Sequence, residues 1–192
     1  MHHRIKNLFS IARALLSFSS RGTETKEDLV LDLSKRLTAL ADAHGLIHPT
    51  LSEQRAAAPL NELLTVLLAA YAEDGTDHGR IHVDVPDLLV GEHSITTIAL
   101  IFHELATNSA KYGALGASRG KVAISSVDAG DAFNLIWTES GGPPPTTERG
   151  QTGYGGSLIA RATLQMGGSI TYEWPLSGAV VMLHLNKARV GA

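Results

Sequence analysis

A chain of 192 residues, 44% hydrophobic but only 5% aromatic, has the length for one good core or two small ones. Its formal net charge of -3, with no stripe of lysine and arginine along any segment, excludes the basic field that holds a polyanion, so no nucleic-acid partner is expected. The absence of cysteine excludes a disulfide framework, a thiolate nucleophile and a Cys-built zinc site, and fits a reducing compartment.

The chain opens MHHRIKN, whose two histidines could be the remnant of an affinity tag or part of the protein's chemistry. Behind them Ile5, Leu8, Phe9, Ala12, Leu15 and Leu16 recur at the three-and-four spacing of one helical face, and the polar stretch SSRGTETKED ends the pattern. Thr25, with Asp28 three residues on, reads as the N-cap of a second helix. That helix carries Leu29, Leu33, Leu37, Leu40 and Ala41 and stops near Gly45 and Pro49. Two such helices make a hairpin with a thin core of its own, which a second copy would complete as a four-helix bundle, so a homodimer is expected.

From about Pro59 the character changes. LNELLTVLLAAYA is helical, RIHVDVP alternates like a strand, and EHSITTIALIFHELATNSAKYG is a long helix ending at Gly113. KVAISSV and FNLIWTES read as strands, GGPPPTTERGQTGYGG as a loop, SLIARATLQM as a helix capped by Gly167 and Gly168, and SITYEW and AVVMLHL as closing strands. Strands and helices mix without the regular alternation of a parallel sheet, which predicts an α+β fold with helices on one face of a mostly antiparallel sheet. The expected division is 1–50 for the hairpin and 51–192 for the α/β unit. The longest apolar runs, such as LLTVLLAAYA, reach about half of the roughly 20 residues that span a bilayer, and no charged leader precedes a cleavage site. A soluble, cytoplasmic chain without membrane contact is expected.

On a wheel of about 100° per residue, the long helix places Ile95, Ile98, Ala99, Phe102, Leu105 and Ala106 on one side and Glu104, Thr107, Asn108 and Lys111 on the other. An amide carbonyl can ligate Mg²⁺ and an ammonium can meet phosphate, although alone the cluster reads as readily as a solvated face with an i,i+4 pairing. Two further stretches shift the balance towards a metal-nucleotide. WTESGGPPP puts Glu139 at a strand end before Gly141 and Gly142, where a flat ring can approach a carboxylate acceptor. GYGGSLIAR sets Gly153, Gly155 and Gly156 just before a helix whose first amides favour an anionic phosphate.

In this order the stretches resemble the motifs of a known family. HELATNSAKYGAL resembles the N-box of histidine kinases, WTESGGPP their first glycine box and GYGGSLI the second. With HHRIKN they are similar to the HWE histidine kinases, whose letters correspond here to His103, Trp137 and Glu139. The resemblance runs over essentially the whole chain. It implies a dimerisation and phosphotransfer hairpin followed by a Bergerat-type ATP-binding domain, with ATP and Mg²⁺ as cofactors and the receiver domain of a response regulator as partner. Members usually continue the first helix upstream into a sensory domain, so a catalytic fragment is implied.

By the same resemblance the phosphate acceptor is His3 rather than His2, which fits either origin. Independently, the wheel sets His3 roughly opposite the apolar stripe and Asn7 one turn later beside it, where its amide could fix which ring nitrogen is nucleophilic. Asn108 is then implied to hold Mg²⁺, Lys111 to offset phosphate charge, Glu139 to accept from the adenine amino group, Gly141 to admit the ring, and Gly153 and Gly155 to shape a lid. Glu104 is the candidate base or its partner, because Arg4 stands where many histidine kinases carry an acid. His103 and Trp137 have no derivable role beyond packing for the indole. Ser157 departs from the basic residue that the family leads one to expect, with Arg161 one turn later as a possible compensation. His44 with His48, and His78 with His82, lack a third ligand in register and are not expected to bind metal. The alternative is a phosphotransfer or scaffold protein that keeps the fold without turnover; an ATP-driven clamp would leave the N-terminal hairpin unexplained.

Overall fold

The computed structural model describes residues 25–45, 57–72, 79–144 and 154–191. Helix α1 (Lys26–Gly45) starts where its cap predicts, with the Leu29 amide donating to the Thr25 carbonyl at 3.1 Å. Strand β1 (Ala57–Pro59), helix α2 (Leu60–Ala72), strands β2 (Ile81–Asp84) and β3 (Leu89–Gly91) and the long helix α3 (Glu92–Tyr112) follow. After a short 3-10 turn (Ala114–Gly116) come β4 (Lys121–Ala129), β5 (Ala132–Ser140), α4 (Tyr154–Gln165), β6 (Ser169–Glu173), β7 (Val180–Asn186) and α5 (Lys187–Val190).

Five strands form one sheet in the order β2-β4-β5-β7-β6, antiparallel throughout except for the parallel pair β2 and β4. This is the expected α+β sandwich. The separate pair β1 and β3 escapes a sequence reading, because three residues ending in Pro59 are too few to show alternation. Period-two alternation on β5 turns Phe133, Leu135, Trp137 and Glu139 inward, and Val181, Leu183 and Leu185 of β7 join them. Helices α2, α3 and α4 cover that face with Leu63, Leu64, Leu68, Ile95, Ile98, Phe102 and Ile159, with Met166 just after α4, each burial worth about 1.5–3 kcal/mol for a large aliphatic or aromatic side chain.

Helix α3 departs from the simple two-faced wheel. Its middle is buried all round, including Leu100, Ile101, His103 and Glu104, and exposed side chains occur only at its ends, at His93 and from Asn108 onward. A second layer accompanies this: α1 packs against both α3 and α2, so α3 has a helical neighbour besides the sheet-facing layer. Helix α4 also differs from expectation, beginning at Tyr154 and taking Gly155 and Gly156 into its first turn rather than leaving them in the loop.

On β6, Tyr172 stacks on Trp174 with ring centroids 6.0 Å apart, and burial pushes its phenol up to about 12. The folded-state value lies above the ordinary value of about 10, so the neutral phenol is favoured by folding. Its contribution is fully present below about pH 10 and is lost as pH rises towards about 12. Among the described residues the hydroxyl has no hydrogen-bond partner. Tyr172→Phe should therefore flatten this alkaline loss of stability and leave the neutral-pH protein equal to wild type or about 1 kcal/mol more stable, as read by urea unfolding across pH.

Candidate functional site

The C-terminal turns of α3 bring Thr107, Asn108, Lys111 and Tyr112 to the surface, with Asn108 and Lys111 exposed. Three residues apart on a helix, an amide oxygen and an ammonium present a hard oxygen ligand and a cation to one region, a donor set suited to Mg²⁺ and phosphate. Glu104 does not join them: it is 3% exposed, inside the layer between α3 and its helical neighbours.

Behind this surface, α3 is tied to α2. The Tyr71 hydroxyl lies 2.9 Å from His103 Nδ1 and 3.0 Å from Thr107 Oγ1, with the Tyr71 and His103 rings edge to face at 5.9 Å. His103 thus gains a role that spacing could not give it. Through the shared hydroxyl it fixes the turn immediately before Asn108.

Glu139 sits one register step beyond Trp137 on the inward face of β5, so the two side chains are neighbours. The Trp137 Nε1–H donates to Glu139 Oε1 at 3.1 Å, and the Ala114 amide donates to Oε2 at 2.8 Å. The indole itself is 1% exposed and packs against Phe102, centroids 6.3 Å apart, which fits the expected packing role. A carboxylate expected as an open acceptor at a strand end is thus 8% exposed and already holds the corner that follows α3. Gly113 is the other half of that contact, because a Cβ there would collide with Glu139 Oε2. Beyond β5 the chain turns through Gly141 at φ +70°, a left-handed conformation that glycine adopts without strain.

Both partners of the Glu139 carboxylate are N–H donors, and this makes glutamine a poor isostere. One end of an amide accepts while the other presents its own N–H₂. Glu139→Gln should lower the unfolding free energy by about 1–3 kcal/mol, the cost of one buried unsatisfied group. Urea unfolding without nucleotide measures it, and an unchanged midpoint would overturn the assignment.

Of the residues expected at the site, Asn108 and Lys111 stand exposed on the last turns of α3, while Glu139 holds the Ala114 amide just after that helix and Gly141 follows the end of β5. Gly155 and Gly156 occupy the first turn of α4, with Ser157 and Arg161 both exposed along it. His3, Asn7 and Gly153 lie outside the described residues. Sequence reasoning missed Gly113 and Tyr71, and for Gly113 the KYG ending of the helix was the available signal.

A family profile described as HWE histidine kinase matches residues 1–87. The chain is 33% identical over 181 residues to blue-light-activated histidine kinase 1 of Erythrobacter litoralis, covering 93% of this chain and 49% of that protein. It is 33% identical over 161 residues to the blue-light-activated histidine kinase of Brucella abortus, covering 82% of this chain and 32% of that one. The chain thus spans about half or less of the length of these relatives. Among solved structures, the histidine kinase domain of the Erythrobacter litoralis blue-light-activated kinase superposes with a TM-score of 0.66 at 15% identity, covering 96% of this chain and 98% of that one. The catalytic domain of the histidine kinase ThkA gives 0.54 at 24% identity over 68% of this chain and 94% of that one. At these identities the superpositions establish the fold.

Proposed function

The chain belongs to the HWE histidine kinase family, and from that premise we propose that it binds Mg-ATP at the end of α3, phosphorylates its own His3 and passes the phosphate to an aspartate of a response-regulator receiver domain. The observation that carries the nucleotide part is the Glu139–Ala114 hydrogen bond, which sets the end of β5 and its Gly141 turn against the end of α3, the helix on which Asn108 and Lys111 are exposed. In this reading Asn108 supplies an oxygen to Mg²⁺ and Lys111 faces the phosphates. Glu139, fixed in orientation by Trp137 and Ala114, has further lone pairs for an adenine amino group, and Gly141 lets the ring come close. Gly155 and Gly156 stand in the first turn of α4, whose first amides suit a phosphate, and Gly153 is read as part of the same lid. Magnesium, when bound, neutralises charge on the transferring phosphoryl group.

His3 attacks the γ-phosphorus as a neutral imidazole, a nitrogen–phosphorus bond forms as the bond to the ADP oxygen breaks, and the ring gives up its N–H proton. Asn7 holds the ring's other nitrogen. Glu104 is enclosed one turn before Asn108, so it is assigned as partner to the base and not as the base itself, and the ring proton leaves to water. A homodimer through the N-terminal hairpin is part of the same proposal, as is a cytoplasmic location; among the described residues no helix is long and apolar enough to cross a membrane.

The test is incubation with γ-labelled ATP and Mg²⁺. Label that acid releases and alkali does not, and that chases onto a receiver domain, is the expected result. Mg-ATP binding without label would point to a need for sensory input, and neither label nor Mg-ATP binding would favour the scaffold alternative.

A further inference from the structure

Arg80 belongs to none of the motifs, yet it is 8% exposed and its guanidinium is spent on main chain. Its Nε–H donates to the Gly120 carbonyl at 3.1 Å. Its Nη2 donates to the carbonyls of Leu115 at 2.9 Å and Ala117 at 2.7 Å, with Ala114 at 3.3 Å. All four acceptors lie in the loop that joins α3 to β4, where a short 3-10 turn leaves carbonyls without helical partners. The same loop is pinned from its other side, the Ala114 amide by Glu139 and the Leu115 amide by Ser109 Oγ at 3.2 Å.

This loop is also the bed of the glycine turn. An added Cβ at Gly141 would lie 2.7 Å from the Arg119 carbonyl oxygen, and one at Gly142 would lie 2.7 Å from Ala114 Cα, so the Gly141–Gly142 backbone rests directly on residues 113–120. The geometry points to Arg80 as a positioning residue for nucleotide binding: its guanidinium holds the 114–120 loop on which the Gly141–Gly142 turn and the end of α3 are set. A planar fork of five N–H groups can serve several carbonyls at once, and a lysine ammonium in its place is a compact point charge that reaches fewer of them. Nothing in the local sequence signals this, because every recipient is backbone.

The inference rests on reading this face as a nucleotide site, so its experiment has one arm independent of nucleotide. Amide hydrogen exchange on nucleotide-free Arg80→Lys should quicken in residues 113–120 and 139–142 relative to the remaining sheet. Calorimetry should then show Mg-ADP binding at least about tenfold weaker than wild type. Arg80→Ala should be weaker still, recovering in millimolar guanidinium chloride but not in equal sodium chloride. A folded Arg80→Lys that exchanges and binds like wild type overturns the proposal. So does exchange that quickens uniformly, or an Arg80→Ala defect indifferent to guanidinium, since either marks a general contribution to stability. Wild type that fails to bind Mg-ADP sinks the nucleotide reading instead, while the exchange arm still decides whether Arg80 holds the loop.

Discussion

Replacing His3 by alanine should remove the acid-labile, alkali-stable label from the chain, a loss of more than about a hundredfold in incorporation, while His2→Ala should retain it. Alanine offers no nucleophile, and acid lability with alkali stability is the signature expected of phosphate on an imidazole nitrogen. The helical period expected to begin at Ile5 sets His3 opposite the apolar stripe, so its replacement is expected to spare the core. The readout therefore separates chemistry from folding: Mg-ATP binding should persist in His3→Ala, because the proposed nucleotide contacts lie on α3 and the β5 turn. Label that persists at another residue would remove His3 as the acceptor and reopen the tag-remnant reading of MHHRIKN.

The second large effect falls on Asn108. Its side chain is exposed near the C-terminus of α3, and alanine is the best helix former, so Asn108→Ala should keep stability within about 0.5 kcal/mol. Autophosphorylation should nevertheless fall by about a hundredfold or more, the order seen when a preorganised group facing developing charge is removed. Lys111→Ala should cost less, since the metal still offsets the phosphate charge. The check is a pair of measurements on one preparation, thermal unfolding and the initial rate of labelling with Mg-ATP. A rate that follows stability, or an unchanged rate, would show that the amide is not at the metal.

How much of this was legible in the residues differs between fold and site. Local rules placed nearly every element: the Thr25 cap, the apolar period of α2 and α3, the alternation of β4, β5 and β7, and Gly113 after the long helix. These follow from period and termination within one segment, which need no knowledge of partners. The order of motifs likewise pointed to a nucleotide and to the family. The wheel misjudged Glu104 because a wheel assumes one buried face, whereas α3 packs against α1 as well as α2 and Glu104 is buried.

The sequence by itself determined the elements, the α+β class, the residue types suited to Mg-ATP and the order in which they occur. Only the tertiary structure decided which of those side chains are available and which are structural. Glu139 shares the inward parity of Trp137, so its carboxylate binds two buried N–H donors, while Asn108 and Lys111 stay in solvent. Arg80 and Gly113 matter through contacts with loop backbone and with a carboxylate 26 residues away at Glu139. A carbonyl oxygen or a van der Waals surface is the same for every residue that could stand there, so sequence carries no mark of such contacts until the chain has folded and brought the partners together.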